Sequence, residues 1–130
     1  DLDAERVQKL DAEIRGLAPG VEVDHALDRE GLAGCCRACD LVVQASPVGM
    51  KQDDPSLLPP EAFHAGQRVF DLIYMYPETA LLSTARAAGA QIANGLGMLL
   101  HQGARAFEIW TGTEPSVPAM RKALEEAVYG

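Results

Sequence analysis

Apolar positions along the chain follow two periods, one helical and one of short continuous runs. Val7, Leu10, Ile14 and Leu17 recur every three or four residues. They predict a helix capped by Asp3 and stopped by Pro19-Gly20. Val21-Glu22-Val23 is a short predicted strand. A second helix is predicted from about Asp28 to Ala38, with Leu32, Cys35, Cys36 and Cys39 at helical spacing. Leu41 to Ser46 is an apolar run without polar alternation, the pattern of a strand buried in a parallel sheet. A polar, proline-rich loop runs from Pro47 to Pro60, and a helical turn is predicted at 61–64. Arg68 to Tyr74 is the next predicted strand. A turn through Met75-Tyr76-Pro77-Glu78 leads to a helix capped by Thr79 and ended near Gly89. A strand at 91–93, a long helix from Asn94 to about Trp110 and a last helix near 117–128 complete the pattern.

The long helix has two faces. Leu96, Leu99, Leu100, Gly103, Phe107 and Trp110 form its expected core stripe. Met98 and Gln102 are four residues apart and lie beside that stripe. The Gln102 amide can donate to and accept from a ligand, or simply be solvated. Asn94 can cap the helix, and Gly95 and Gly97 allow backbone to come close to a ligand there.

Strands alternating with helices at this spacing imply βαβ units and a parallel α/β sheet. Ligands of such sheets bind outside the carboxyl ends of the strands. Asp1, Ser46 to Met50, Tyr74 to Glu78, and Asn94 to Met98 are placed at that end.

Length and composition limit the function classes. The chain has 130 residues, enough for one domain, and 48% hydrophobic residues, enough for a core. Its net charge of −8, without a basic cluster, excludes a nucleic-acid or anionic-membrane surface. No apolar run approaches the roughly 18 residues of a membrane span, and no signal peptide is visible. A cytoplasmic location is the expectation. Cys35, Cys36 and Cys39 lack a fourth ligand and a second knuckle, so they are expected to pack against the sheet rather than bind metal. Gly95-Leu96-Gly97 begins like a dinucleotide fingerprint, but its third glycine position is Leu100. Ser46 lacks the glycines of a nucleophile elbow.

An ordered series of residues carries a family resemblance. It runs Ser46-Pro47-Val48-Gly49-Met50, Asp71-x-x-Tyr74 with Glu78-Thr79 and Leu81-Leu82, Asn94-Gly95-x-Gly97-Met98-Leu99-x-x-Gln102, then Ala106-Phe107 and Trp110-Thr111-Gly112. This series resembles the C-terminal half of shikimate dehydrogenases, over essentially the whole chain. The resemblance implies a partial Rossmann-type parallel sheet with helices on both faces, lacking the first βα unit. Residues 1–130 are then the C-terminal portion of a nicotinamide dinucleotide-binding domain plus closing helices. The family's N-terminal substrate domain, its catalytic Lys and Asp, and its phosphate loop have no counterparts here, so no catalytic residue is assigned. The chain alone is expected to be inactive.

By the same resemblance, Gly95 and Met98 lie at the nicotinamide, and Ser46, Val48 and Leu72 line the cofactor site. Tyr74 and Gln102 reach the substrate. Two departures stand out: Gln44 occupies a position where the family often has Asn, and Pro77 is displaced by one residue in Tyr74-Met75-Tyr76-Pro77. NADP-using relatives carry Asn-Arg-Thr where this chain has Asp1-Leu2-Asp3. Leu2 cannot pair with a 2′-phosphate, and Asp1 can accept from a ribose hydroxyl. Arg6 falls near the adenosine. The resemblance thus implies NAD, with NADP less favoured, and a fragment of an oxidoreductase acting on shikimate and dehydroshikimate, with quinate as a second substrate. A non-catalytic nucleotide-binding or assembly module derived from the family is the alternative. A homodimer is compatible with either.

Overall fold

The computed structural model describes residues 3–130. In chain order it contains α1 (Ala4–Leu17), α2 (Arg29–Arg37), β1 (Leu41–Gln44), a 3-10 turn (Pro60–Ala62), β2 (Arg68–Asp71), α3 (Ala80–Ala87), β3 (Gln91–Ala93), α4 (Leu96–Thr111) and α5 (Val117–Tyr129). The three strands form one parallel sheet in the order β1-β2-β3, with Val42 beside Val69 and Val69 beside Ile92. Their carboxyl ends therefore lie side by side.

The core sits on one face of this sheet. Val42 and Val69 pack with Leu81, Leu82 and Ala85 of α3, and with Ala62 and Phe63 of the 3-10 turn. Leu32, Ala33 and Cys36 of α2 close it at the side. Cys36 thus packs as a small apolar residue, and burial pushes its thiol up from the usual range. Cys39 lies exposed beyond the helix, its thiol donating to the Cys35 carbonyl. Gln67 is fully buried and donates to the carbonyls of Cys36 and Cys39, which ties the end of α2 to the start of β2.

Helix caps follow the sequence closely. Asp3, Asp28 and Thr79 each accept first-turn amides of α1, α2 and α3. Three expectations are corrected. Val21 to Val23 forms no strand; Arg15 of α1 donates to the Val23 carbonyl at 2.6 Å instead. Among the described residues, no strand lies beyond β1 for this segment to join. For the same reason α1 buries no residue and leaves Leu10 and Leu17 exposed, as are Leu41 and Val43 on the open face of β1. Second, β1 and β2 end at Gln44 and Asp71, short of Ser46 and Tyr74, because both end residues turn their side chains back on the following backbone.

Third, the core stripe of α4 is narrower than expected. Leu96, Leu100 and Ala104 are buried, Leu99 and Gly103 half-buried, while Phe107 and Trp110 are exposed, Trp110 by 83%. The 16 residues of α4 extend about 24 Å. Strands of three or four residues span only about 10–13 Å, so the far end of α4 runs past them. No helix of the described residues is long and apolar enough to cross a membrane.

Candidate functional site

Three turns leave the carboxyl ends of the strands: 45–50 after β1, 72–79 after β2 and 94–95 after β3. Each is held by a polar residue at its base. Gln44, 5% exposed, accepts from the Ser46 amide and donates to the carbonyls of Ser46 and Val48. Ser46 Oγ in turn accepts from the Val48 amide at 3.3 Å. The longer amide thus folds the Ser46–Val48 turn back over the strand end. Gly49 follows at φ 103°, a left-handed conformation that suits glycine, with Ile73 Cδ1 only 3.0 Å from where a Cβ would stand.

Asp54 closes this loop. Its Oδ2 accepts from the Lys51 and Gly49 amides at 3.1 and 2.8 Å, and these bonds hold the carboxyl below its ordinary range. A carboxyl depressed on folding stabilises the fold above its unfolded value of about 4, and that contribution fades as pH falls through the folded value. Asp54→Asn is therefore expected to lower the thermal midpoint at pH 7, with the gap to wild type closing below about pH 4. Thermal melts of both proteins across pH check this; a gap indifferent to pH would remove the carboxylate from the account.

Asp71 anchors the second turn. It is fully buried, accepts from the Ile73 amide at 3.0 Å and from the Thr79 hydroxyl at 2.7 Å. Thr79 Oγ1 also accepts from Leu82, so one contact joins the end of β2 to the start of α3. The Tyr76 hydroxyl donates to the Met50 carbonyl and ties the second turn to the first.

The third turn is pressed against the second. The Gly95 amide donates to the Ile73 carbonyl at 3.0 Å, and a Cβ on Gly95 would stand only 2.0 Å from the Leu72 carbonyl oxygen. Gly95 is bare because the Leu72 backbone fills the space of its side chain. The expected Asn94 cap is corrected: α4 begins at Leu96 with Gly95 at the cap position, and Asn94 stands one residue earlier, its Oδ1 accepting from the Leu96 amide at 3.2 Å. Its Nδ2 also donates to the carbonyls of Tyr76 and Pro77 and to the Tyr129 hydroxyl.

The structure thus brings together four sequence-predicted residues. Ser46 and Val48 share the Gln44 side chain, the Leu72 amide donates to the Gln44 carbonyl, and Leu72 touches Gly95. Met98 and Gln102 stand exposed on successive turns of α4, and Tyr74 is half-buried in the second turn. A pocket of about 180 Å³ lies between Gly49 and Lys51 on one side and Tyr76 to Thr79 on the other, and its lining includes none of these candidate contact residues. Arg6 stands apart, exposed on α1 and paired with Asp3 at 3.3 Å. Asp1 lies outside the described residues. Gln44 and Asp71 were named in the sequence without a structural role, and Asp54 and Tyr129 were missed by sequence reasoning. A polar residue closing an apolar strand was the available signal for Gln44 and Asp71; Asp54 and Tyr129 had none.

Comparison with known proteins places this geometry. Residues 95–125 match the family described as shikimate 5'-dehydrogenase C-terminal domain. The chain is 45% identical to the shikimate dehydrogenase (NADP+) of Methanocella arvoryzae over 92 residues, covering 71% of this chain and 34% of that protein. It matches the structure of quinate dehydrogenase from Corynebacterium glutamicum in complex with NAD at TM-score 0.81 and 36% identity, covering 97% of this chain and 44% of that one. It also matches shikimate 5-dehydrogenase from Listeria monocytogenes in complex with shikimate and NAD at TM-score 0.68 and 38% identity, covering 75% and 34%. The chain spans between 34% and 42% of the length of the first three curated relatives. With its Rossmann-like α/β architecture and its ordered motifs, the chain belongs to the shikimate dehydrogenase family, as a counterpart of the C-terminal portion of its members.

Proposed function

We propose that this chain is the cofactor-binding portion of an oxidoreductase that interconverts 3-dehydroshikimate and shikimate, and also dehydroquinate and quinate, with NAD preferred over NADP. The observation that carries the reading is the meeting of Ser46, Val48, Leu72 and Gly95 at the carboxyl ends of three parallel strands. Ligands of such sheets bind there. The apolar Val48 and Leu72, both half-buried, suit a planar nicotinamide ring, while Ser46 supplies a hydroxyl. The pyrophosphate would be held by residues outside this set. The cofactor supplies the hydride chemistry, and these residues orient it. Tyr74 and Gln102 carry the hydroxyl and the amide that can hydrogen-bond a polyhydroxylated ring. The substrate domain, with its acid–base groups, completes the enzyme.

The NAD preference rests on Asp1 and Leu2. A carboxylate that accepts from the ribose 2′-hydroxyl repels a 2′-phosphate, and leucine offers that phosphate no donor. Named relatives include NADP+ enzymes and proteins solved with NAD, so the choice is made within the family. In the full-length enzyme, kcat/KM with NAD is expected to exceed that with NADP by about tenfold or more. The pair Asp1→Asn and Leu2→Arg is expected to reverse the order. Steady-state kinetics with shikimate and quinate and both cofactors decide it; a wild type preferring NADP would overturn the cofactor assignment.

A further inference from the structure

We propose that Tyr129, at the end of α5, is a positioning residue for the substrate side of this site. It acts through Asn94 on the turn that carries Tyr74. The proposal rests on the reading of Tyr74 as a substrate contact.

The geometry is a three-way junction. The Tyr129 hydroxyl accepts from Asn94 Nδ2 at 2.7 Å and donates to the Tyr76 carbonyl at 3.4 Å. The remaining Nδ2 proton of Asn94 is shared between the carbonyls of Tyr76 at 3.2 Å and Pro77 at 3.1 Å. An amide has two donor protons, so this arrangement uses both, while Oδ1 holds the Leu96 amide. Asn94 and Tyr129 are both partly buried, which strengthens the bonds relative to bulk water. The carbonyls that receive these bonds lie two and three residues past Tyr74. This segment has no sheet partner and no helical bonding of its own. Its outer tether is the Tyr76 hydroxyl on the Met50 carbonyl. Asn94 thus makes the bonds to the Tyr76 and Pro77 carbonyls, and Tyr129, from α5, holds the Asn94 amide in place and adds one longer bond of its own to the Tyr76 carbonyl.

The test is Tyr129→Phe in the full-length enzyme, which removes one oxygen and keeps the ring. Steady-state kinetics are expected to show the KM for shikimate raised about three- to tenfold, with the cofactor KM within about twofold of wild type. Amide hydrogen exchange at Leu96, whose partner is the clamped Asn94, is expected to quicken by a similar factor. An equal rise in both KM values would mean general loosening and would overturn the positioning role, as would a shikimate KM that does not move. If wild type turns over no shikimate, the functional reading fails separately, and the exchange rate still judges the clamp: an unchanged rate at Leu96 removes it.

Discussion

Gly95→Ala is expected to destabilise the protein by about 3 kcal/mol, with loss of cofactor binding in whatever remains folded. The added methyl would stand 2.0 Å from the Leu72 carbonyl oxygen and 2.6 Å from its carbonyl carbon. Both are backbone atoms at the end of β2, so no side chain can rotate away. Relief requires α4 to move off the sheet, and this breaks the Gly95–Ile73 hydrogen bond and shifts Met98 and Gln102 together. Backbone conformation is not the cause, because Gly95 has φ −74° and ψ −1°, which alanine adopts readily. Gly97→Ala is the matched control: its Cβ meets nothing within 4 Å, so stability should change by less than about 0.5 kcal/mol. Urea unfolding of the two variants, with cofactor titration of the full-length forms, checks this. A Gly95→Ala protein as stable as Gly97→Ala would mean that the two turns are not in contact.

Asp71→Ala is expected to cost a further amount of the same size, about 3 kcal/mol or more, by a different route. It leaves the Ile73 amide and the Thr79 hydroxyl without their buried partner. It also opens a cavity at a fully buried position. Asp71→Asn keeps the shape and an acceptor for Ile73, and the Thr79 hydroxyl can turn to accept from the new amide. Its cost should be less than half that of alanine. Thermal or urea unfolding separates the two, and equal losses in both variants would point to the charge rather than to the hydrogen bonds.

These two residues show what the sequence made legible. Periodicity located every helix, and the Asp3, Asp28 and Thr79 caps are local contacts readable from spacing alone. Gly95 was singled out for an approach to ligand; the structure shows that its bareness answers to Leu72, more than twenty positions earlier. Phe107 and Trp110 continue an apolar stripe that reads as core, but burial depends on what lies opposite, and periodicity carries no information about that. Val21 to Val23 has strand composition without a strand beside it. Gln44 acts wholly on backbone atoms, as do Asp71 on the Ile73 amide and Tyr129 on the Tyr76 carbonyl. Backbone is the same for every sequence, so such contacts leave no complementary residue to find.

The junction at Asn94 also orders events in time. The three strands, α3 and the start of α4 are synthesised by about residue 100, and they include the contacts that make the sheet and its core. The Tyr129 hydroxyl reaches Tyr76 across 53 residues and Asn94 across 35. Chains are made from the N-terminus at roughly 5–20 residues per second, so the sheet can assemble seconds before α5 emerges. During that interval the Tyr74 turn has its bonds to Asn94 and Met50 but lacks the Tyr129 hydroxyl. What α5 adds last is the Tyr129 hydroxyl, the most distant contact in sequence that the turn receives.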